Sequence, residues 1–359
     1  MRVPPEGIEG GAVSPPAAAL DVIRERALRR REDAGRRWTR AAAGRAGPVD
    51  AWAERFARAG RVTVNLHPDR VTGSGSTVAA GLLVHGRYLS QWVTGISSGS
   101  RSAFPGGDRH RFERALFAGA YDGADPTDVD FPVYGAFDLL RDPHGGSPRF
   151  GSSYVVLEPH VLVRTTMCVG DSHVGPADVG TADAPWSLLA GLAGQAAAGV
   201  LLDRPLGADD LLDVLDGTTG PRPPSRCLDG YVEAQIHGGI DLTRDVRAVV
   251  LDPSFAGTDV ERDLRAAAGR HGFELRWHRG SELAVGDVPV DFRGPTMPDV
   301  ARRVARADGV VDARAIGTAA RRIRAGRPLP GGDPPGSELQ QLKYLWHTLL
   351  ARGRDAVRA

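Results

Sequence analysis

The sequence predicts an α+β protein, with a mixed β-core over residues 61–257, a helical lead over 16–60 and an α-rich region packed on the core over 258–359. Three observations lead there. Segments of period-two alternation cluster in the middle of the chain, helical spacing dominates both ends, and the strands do not alternate with helices in the regular order of a parallel βαβ sheet. At 359 residues the chain is long enough to bury a substantial core.

Composition narrows the function classes. The 45 basic residues are balanced by 44 acidic ones, so no basic nucleic-acid footprint exists at the scale of the whole chain. Two cysteines, Cys168 and Cys227, are too few for a disulfide framework or a thiolate zinc site. The opening MRVPPEGIEGGAVSPP lacks the apolar core of a signal peptide and no apolar run is long enough to span a bilayer, so the expectation is a cytoplasmic protein without a membrane partner.

Residues 1–15 are rich in Pro and Gly and are expected to be disordered. Helical spacing of Leu20, Ile23 and Leu28 follows, then a second helix over DAWAERFARAG with Asp50 as N-cap. The many arginines of this lead are read as a wet helix face, with an anionic partner as the alternative. RVTVNLHPDR alternates Val62, Val64 and Leu66 against Thr63, Asn65 and His67 and stops at Pro68, which makes it the first strand. STVAAGLLVHG reads as a short helix closed by Gly86, RYLSQWVTGISSGS as a hydroxyl-rich strand and loop, and GGDRHRFERALFAGAY as a Gly-started helix with Phe112, Leu116 and Phe117 inward. Further strands are FPVYGAFDLL, RFGSSYVVLEP, VLVRTTMCV and YVEAQIHG, with DVRAVVLDPS expected beside the last. Beyond Gly257 only the short strand FELRWH interrupts a series of helices.

Residues 231–238, YVEAQIHG, carry the most chemistry. On a strand Tyr231, Glu233, Gln235 and His237 share one face and Val232, Ala234 and Ile236 the other. A carboxylate, an amide and an imidazole at two-residue steps on a rigid element form a site-like row, whose plain alternative is a solvated strand face. A second constellation, His67, Asp69, His110, Asp171, His173 and His237, has metal-ligating chemistry without a recognised ligand spacing, and a metal-dependent hydrolase using His67, Asp69, Asp171 and His173 is the alternative function. A serine nucleophile in Gly170-Asp171-Ser172 is set aside, because the Asp-x-x-His element its esterase class uses occurs nowhere in the chain. A non-catalytic binding module is the third reading.

The order of the first-strand HPDR, the helix ending GLLVHG, the hydroxyl-rich TGISSG and the late-strand glutamate in YVEAQIHG resembles the layout of ADP-ribosyltransferases. That resemblance implies a split β-core that grips NAD as substrate and transfers ADP-ribose to an acceptor or to water. It implies that His67 or Arg70, beside Asp69, holds the dinucleotide, that Thr94, Ser97 and Ser98 support the site, and that Glu233 orients the nicotinamide ribose with Gln235 and His237 as catalytic companions. Tyr88, Trp92 and Tyr231 are the rings available to stack nicotinamide, and Arg149 is the second arginine for a phosphate. Across residues 62–349, the strings VNLHPDR, SQWVTGISSG, SPRFGSSY, YVEAQIHG, LDPSFAGT, DFRGP and LKYLWH are also similar to an uncharacterised bacterial family, catalogued as a domain of unknown function. Arg293 in DFRGP and His347 in LKYLWH are read as packing residues.

Overall fold

The computed structural model describes residues 13–42, 46–96, 103–220, 222–330 and 335–356. The disorder expected for 1–15 therefore falls almost wholly outside the described residues, as do Ser97 and Ser98.

Eight strands form one mixed sheet: β1 (Val62–Leu66), β2 (Val133–Phe137), β3 (Ser153–Leu157), β4 (Thr165–Val169), β5 (Val179–Thr181), β6 (Val232–Ile236), β7 (Val246–Leu251) and β8 (Glu274–Trp277). Their spatial order is β8-β7-β3-β1-β2-β6-β4-β5. Neighbours run antiparallel except β7 and β8. Parallel strands need a crossover, and the helix Asp259–His271 supplies it. The α-rich end of the chain thus contributes an edge strand to the sheet.

One junction in this sheet is incomplete. β1 pairs with β3 at four positions, Thr63 to Leu66, but with β2 at two, Val62 opposite Phe137 and Thr63 opposite Ala136. Val133, Tyr134 and Gly135 of β2 pair instead with Ile236, Gln235 and Ala234 of β6. The hydrogen-bonded sheet is therefore continuous but opens beyond Thr63, parting β8-β7-β3-β1 from β2-β6-β4-β5. Gly135 sits where the strands diverge. A Cβ there would collide with the Thr63 carbonyl oxygen, so the absence of a side chain lets the strands meet at this point.

The expected pairing of YVEAQIHG with DVRAVVL is corrected. β6 lies between β2 and β4, and β7 lies in the other half against β3. After β6 the backbone turns at Gly238 and Gly239, whose φ of 73° and 71° suit glycine. Ile240–Asp241 then pairs with Arg87–Tyr88, and the helical turn Leu242–Asp245 leads into β7. Strand adjacency in sequence is broken by this crossing of the split.

The N-terminal helices Pro15–Arg29, Arg31–Ala41 and Asp50–Ala59 pack on the sheet. Trp38 and Phe56 are fully buried, and the Phe56 ring lies 4.7 Å from that of Phe137 on β2. Asp50 is the first helical residue rather than the cap, and its carboxylate accepts from Trp186 Nε1 at 2.6 Å and from Arg31 at 2.9 Å. The arginines of the lead are not simply a wet face. Arg37 holds Asp178 with two bonds of 2.6 and 2.9 Å, Arg24 pairs with Asp183 at 2.8 Å, and Arg26 and Arg30 donate to the carbonyls of Pro176 and Ala177. Acidic and carbonyl partners around β5 draw these side chains inward. The short β5 was not anticipated, since three residues carry too little alternation to read.

The C-terminal helices Met297–Val304, Ala313–Arg324 and Pro335–Arg352 close the molecule. Trp346 Nε1 donates to the Pro148 carbonyl at 3.1 Å, tying the last helix to the loop before β3. The main hydrophobic core runs from Ala27 to Leu350, with smaller clusters around Phe117 and around Tyr154. No helix among the described residues is long and apolar enough to cross a membrane.

Candidate functional site

The split between β1 and β2 opens into a cavity of about 780 Å³. One wall is the end of β1, with Asn65, Leu66 and His67, continued by Arg70. The facing wall is Val133, Tyr134 and Gly135 of β2 with Glu233 of β6 behind them. The helix Val78–His85 and the segment through Tyr88, Ser90 and Thr94 form a third side. Thr77 caps that helix by accepting from the Ala80 amide, and Gly86 ends it in the left-handed region at φ 63°. Cap and glycine together aim Tyr88 at the cavity.

Glu233 is the carboxylate the fold invests in most. It lies opposite Ala136 on one side and Cys168 on the other, and is 6% exposed. Burial pushes its carboxyl up to about 7, and Asp171 nearby adds to the rise. Behind it runs a chain of hydrogen bonds. Gln235 Nε2 donates to Glu233 Oε1 at 2.8 Å, and Gln235 Oε1 accepts from the Thr166 hydroxyl at 2.8 Å. Because Thr166 spends its proton there, the 3.0 Å contact with His237 Nε2 requires the imidazole N–H to donate, and His237 Nδ1 then accepts the Tyr121 hydroxyl at 2.8 Å. Burial holds His237 neutral, its pKa lowered to about 3. Each donor in this relay points one link closer to Glu233, the arrangement in which successive dipoles strengthen one another.

Gln235 and His237 are therefore corrected from site residues to supports. They share the strand face of Glu233, as alternation predicts, but lie deeper along it, outside the cavity. Three more expected site residues also lie outside it. Asp69 is buried against Gly317 with its carboxyl raised to about 6 by desolvation. Trp92 donates Nε1 to Glu113 at 3.0 Å and packs on Phe131. Tyr231 is buried with its ring edge-on to Phe150, 5.8 Å between centroids. His67, Arg70, Tyr88, Thr94, Arg149 and Glu233 do converge on the cavity.

Several lining residues were missed by sequence reasoning. Arg109 lines the cavity and stacks over the Tyr134 ring at 4.2 Å, and its buried carboxylate partner Glu113, 3.5 Å away, stands behind it outside the lining. Burial raises Glu113 to about 7. Their i, i+4 spacing on the helix Asp108–Leu116 was visible, but on that helix only the apolar residues were read as inward. Phe112 is half-buried and lines the cavity instead of the core. Asn65 is buried, donates to the His144 and Gly151 carbonyls at 2.9 and 3.2 Å, and accepts from the Ser147 amide at 3.1 Å.

The lining is charged unevenly. Arg70, Arg87, Arg109, Arg149 and Lys343 line it with two carboxylates, Asp171 and Glu233, and Arg87, Arg109 and Arg149 are paired in turn with Asp130, Glu113 and Asp229. His67 lies edge-on to Trp346 with centroids 5.2 Å apart, and burial lowers its pKa to about 3, so it enters the cavity as a neutral imidazole. Burial also raises the Tyr88 hydroxyl to about 12 and lowers Arg70 to about 10.

The expected metal constellation is not assembled. Among the described residues no group of three or more His, Cys, Asp or Glu side chains is placed to hold a metal ion. Asp69 faces Gly317, His110 Nδ1 accepts from the Gly106 amide at 2.8 Å, and His237 is committed to its relay. Asp171 and His173 do meet, Oδ1 to Nδ1, at 2.7 Å.

Fold and site together define an α+β protein with a ligand-sized, cation-lined cavity at a split in one mixed sheet. Residues 61–352 match the family described as "Protein of unknown function (DUF3626)", and the chain belongs to that family. It is also similar to the "Gene 2 protein" of Mycobacterium phage L5, 29% identical over 174 residues, which cover 47% of this chain and 59% of the phage protein.

Proposed function

We propose that the chain binds NAD in this cavity and cleaves the bond between nicotinamide and ribose, passing ADP-ribose to an acceptor or to water. The observation that carries this reading is the convergence of His67, Tyr88 and Glu233, from three separate stretches of sequence, on one cavity at the split of the sheet. Its volume lies within the roughly 300–1,000 Å³ of small-molecule and cofactor sites. The diphosphate of NAD suits the guanidinium groups of the lining, with Arg70 and Arg149, the latter also paired with Asp229, the phosphate ligands of this reading. The neutral His67 suits an uncharged hydrogen-bonding partner on the ligand, which assigns the charge to Arg70 and the hydrogen bond to His67. Tyr88 and Tyr134 offer rings for nicotinamide.

Leaving of nicotinamide builds positive charge on the ribose, and a fixed carboxylate beside it stabilises that transition state. Burial raises Glu233 toward neutrality. A developing cation beside it favours its ionised form, so stabilisation is greatest where charge develops. The Gln235 amide, held by Thr166, keeps one carboxylate oxygen fixed.

The test is release of nicotinamide from NAD by the purified chain. Glu233→Gln keeps the shape and the Gln235 contact and is expected to reduce release by at least about 10²-fold. Release by wild type that survives this substitution undiminished sinks the reading.

A further inference from the structure

Asp171 and His173 lie in the same cavity as Glu233, and the cleavage step just described does not use them. Their geometry is fixed twice over. The Asp171 carboxylate accepts from the His173 amide at 3.2 Å, and its Oδ1 lies 2.7 Å from His173 Nδ1. The turn that carries them is pinned to the strand of Glu233. The Gly170 amide donates to the Tyr231 carbonyl at 3.0 Å, Gly170 bridges to Val232, and Gly175 closes the turn in the left-handed region at φ 69°. Asp171 acts electrostatically on Glu233 directly. The two side chains are 29% and 33% exposed, unlike the fully buried His237, so a proton arriving at His173 can leave to solvent.

We propose that His173, oriented by Asp171, is the general base that activates a hydroxyl-bearing acceptor in this cavity. The inference rests on the ADP-ribosyl transfer reading above. A hydroxyl is a weak nucleophile until its proton is taken, and an imidazole whose Nδ1 is tied to a carboxylate presents Nε2 for that purpose. The step balances as follows: the ribose C1′–nicotinamide N bond breaks and its electron pair leaves on nicotinamide. The acceptor oxygen forms the new bond to C1′, and its proton passes to His173 Nε2. Asp171 stabilises the imidazolium, which then returns the proton to water. An Asp–His pair lying idle on a surface turn makes the same 2.7 Å contact, but has no carboxylate of the Glu233 kind facing the same space.

The experiment compares nicotinamide release from NAD by the full chain and by His173→Gln, Asp171→Asn and Glu233→Gln, each with water alone and with added azide. Azide is an anion and needs no base. His173→Gln is expected to lower release in water by about 10²–10⁴-fold, with azide restoring it as azidoribosyl product. Asp171→Asn is expected to show a smaller loss with the same rescue, and serves in place of His173→Gln should that variant not fold. Glu233→Gln is expected to stay slow with azide. Undiminished release by His173→Gln, or a loss that azide does not restore, overturns the base assignment while a slow Glu233→Gln leaves the transfer reading standing. A wild-type chain that releases no nicotinamide overturns both. Product analysis separates the acceptors, free ADP-ribose marking water and an adduct marking an added alcohol.

Discussion

Glu233 shows what a single buried position does to chemistry and stability together. Its carboxyl is favoured protonated in the folded chain, so the linked stability is complete below its ordinary value of 4.5 and lost as pH rises through about 7. The loss is on the order of 3 kcal/mol. Glu233→Gln carries no charge to desolvate and keeps the bond from Gln235 with its amide oxygen. Its denaturation midpoint is therefore expected to gain on wild type between pH 5 and pH 8 even as activity falls. Equal offsets at the two pH values would mean that Glu233 ionises freely in the fold. At this scale much was legible. Alternation alone put Tyr231, Glu233, Gln235 and His237 on one face. It did not tell which of the four meets open space, because all four are buried and the strand is flanked on both sides.

At the scale of elements, the site exists because β1 and β2 stop pairing. Gly135 is the position that permits both the meeting at Thr63 and the divergence beyond it. Gly135→Ala forces a methyl into the Thr63 carbonyl, and overpacking of this kind costs about 1–3 kcal/mol. The expected result is a lower urea midpoint together with weaker NAD-induced thermal stabilisation. A variant with unchanged midpoint and unchanged ligand shift would show that the strands part for another reason. Strand positions themselves were readable, since Val62–Leu66, Val133–Phe137 and Val246–Leu251 all alternate or run apolar between turn residues. Their order was not readable. β7 follows β6 in sequence, and only the Gly238-Gly239 turn and the Ile240–Asp241 ladder with Arg87–Tyr88 carry it across the split.

Across the whole molecule, the family match begins at residue 61, yet the helices before it belong to the same core as the sheet. Phe56 packs on Phe137, Trp186 binds Asp50, and Arg37 clamps Asp178. A chain started at Arg61 is expected to lose cooperative unfolding and expose apolar surface to a hydrophobic dye. In the full chain Phe56→Ala is expected to cost about 3–5 kcal/mol. A truncated chain with a sharp, wild-type-like melt would show the lead to be an appendage. The N-terminal arginines illustrate why composition misleads here. Their partners Asp178 and Asp183 lie more than a hundred residues away, so no local pattern shows that the charges are satisfied within the fold.

By itself the sequence determined the class, the helices at both ends and most strands of the sheet, and it named His67, Arg70, Tyr88, Thr94, Arg149 and Glu233 among thirteen candidate site residues. These follow from local periodicity and residue chemistry, which a linear chain displays directly. The tertiary structure decided the order of the strands, the split that makes the cavity, and the commitment of Asp69, Trp92, Tyr231, Gln235 and His237 to the interior. It also joined Asp171 and His173 to the space in front of Glu233. Those outcomes depend on which side chain finds a partner across long stretches of chain. That is settled by the packing of the folded core, not by the neighbours of a residue in sequence.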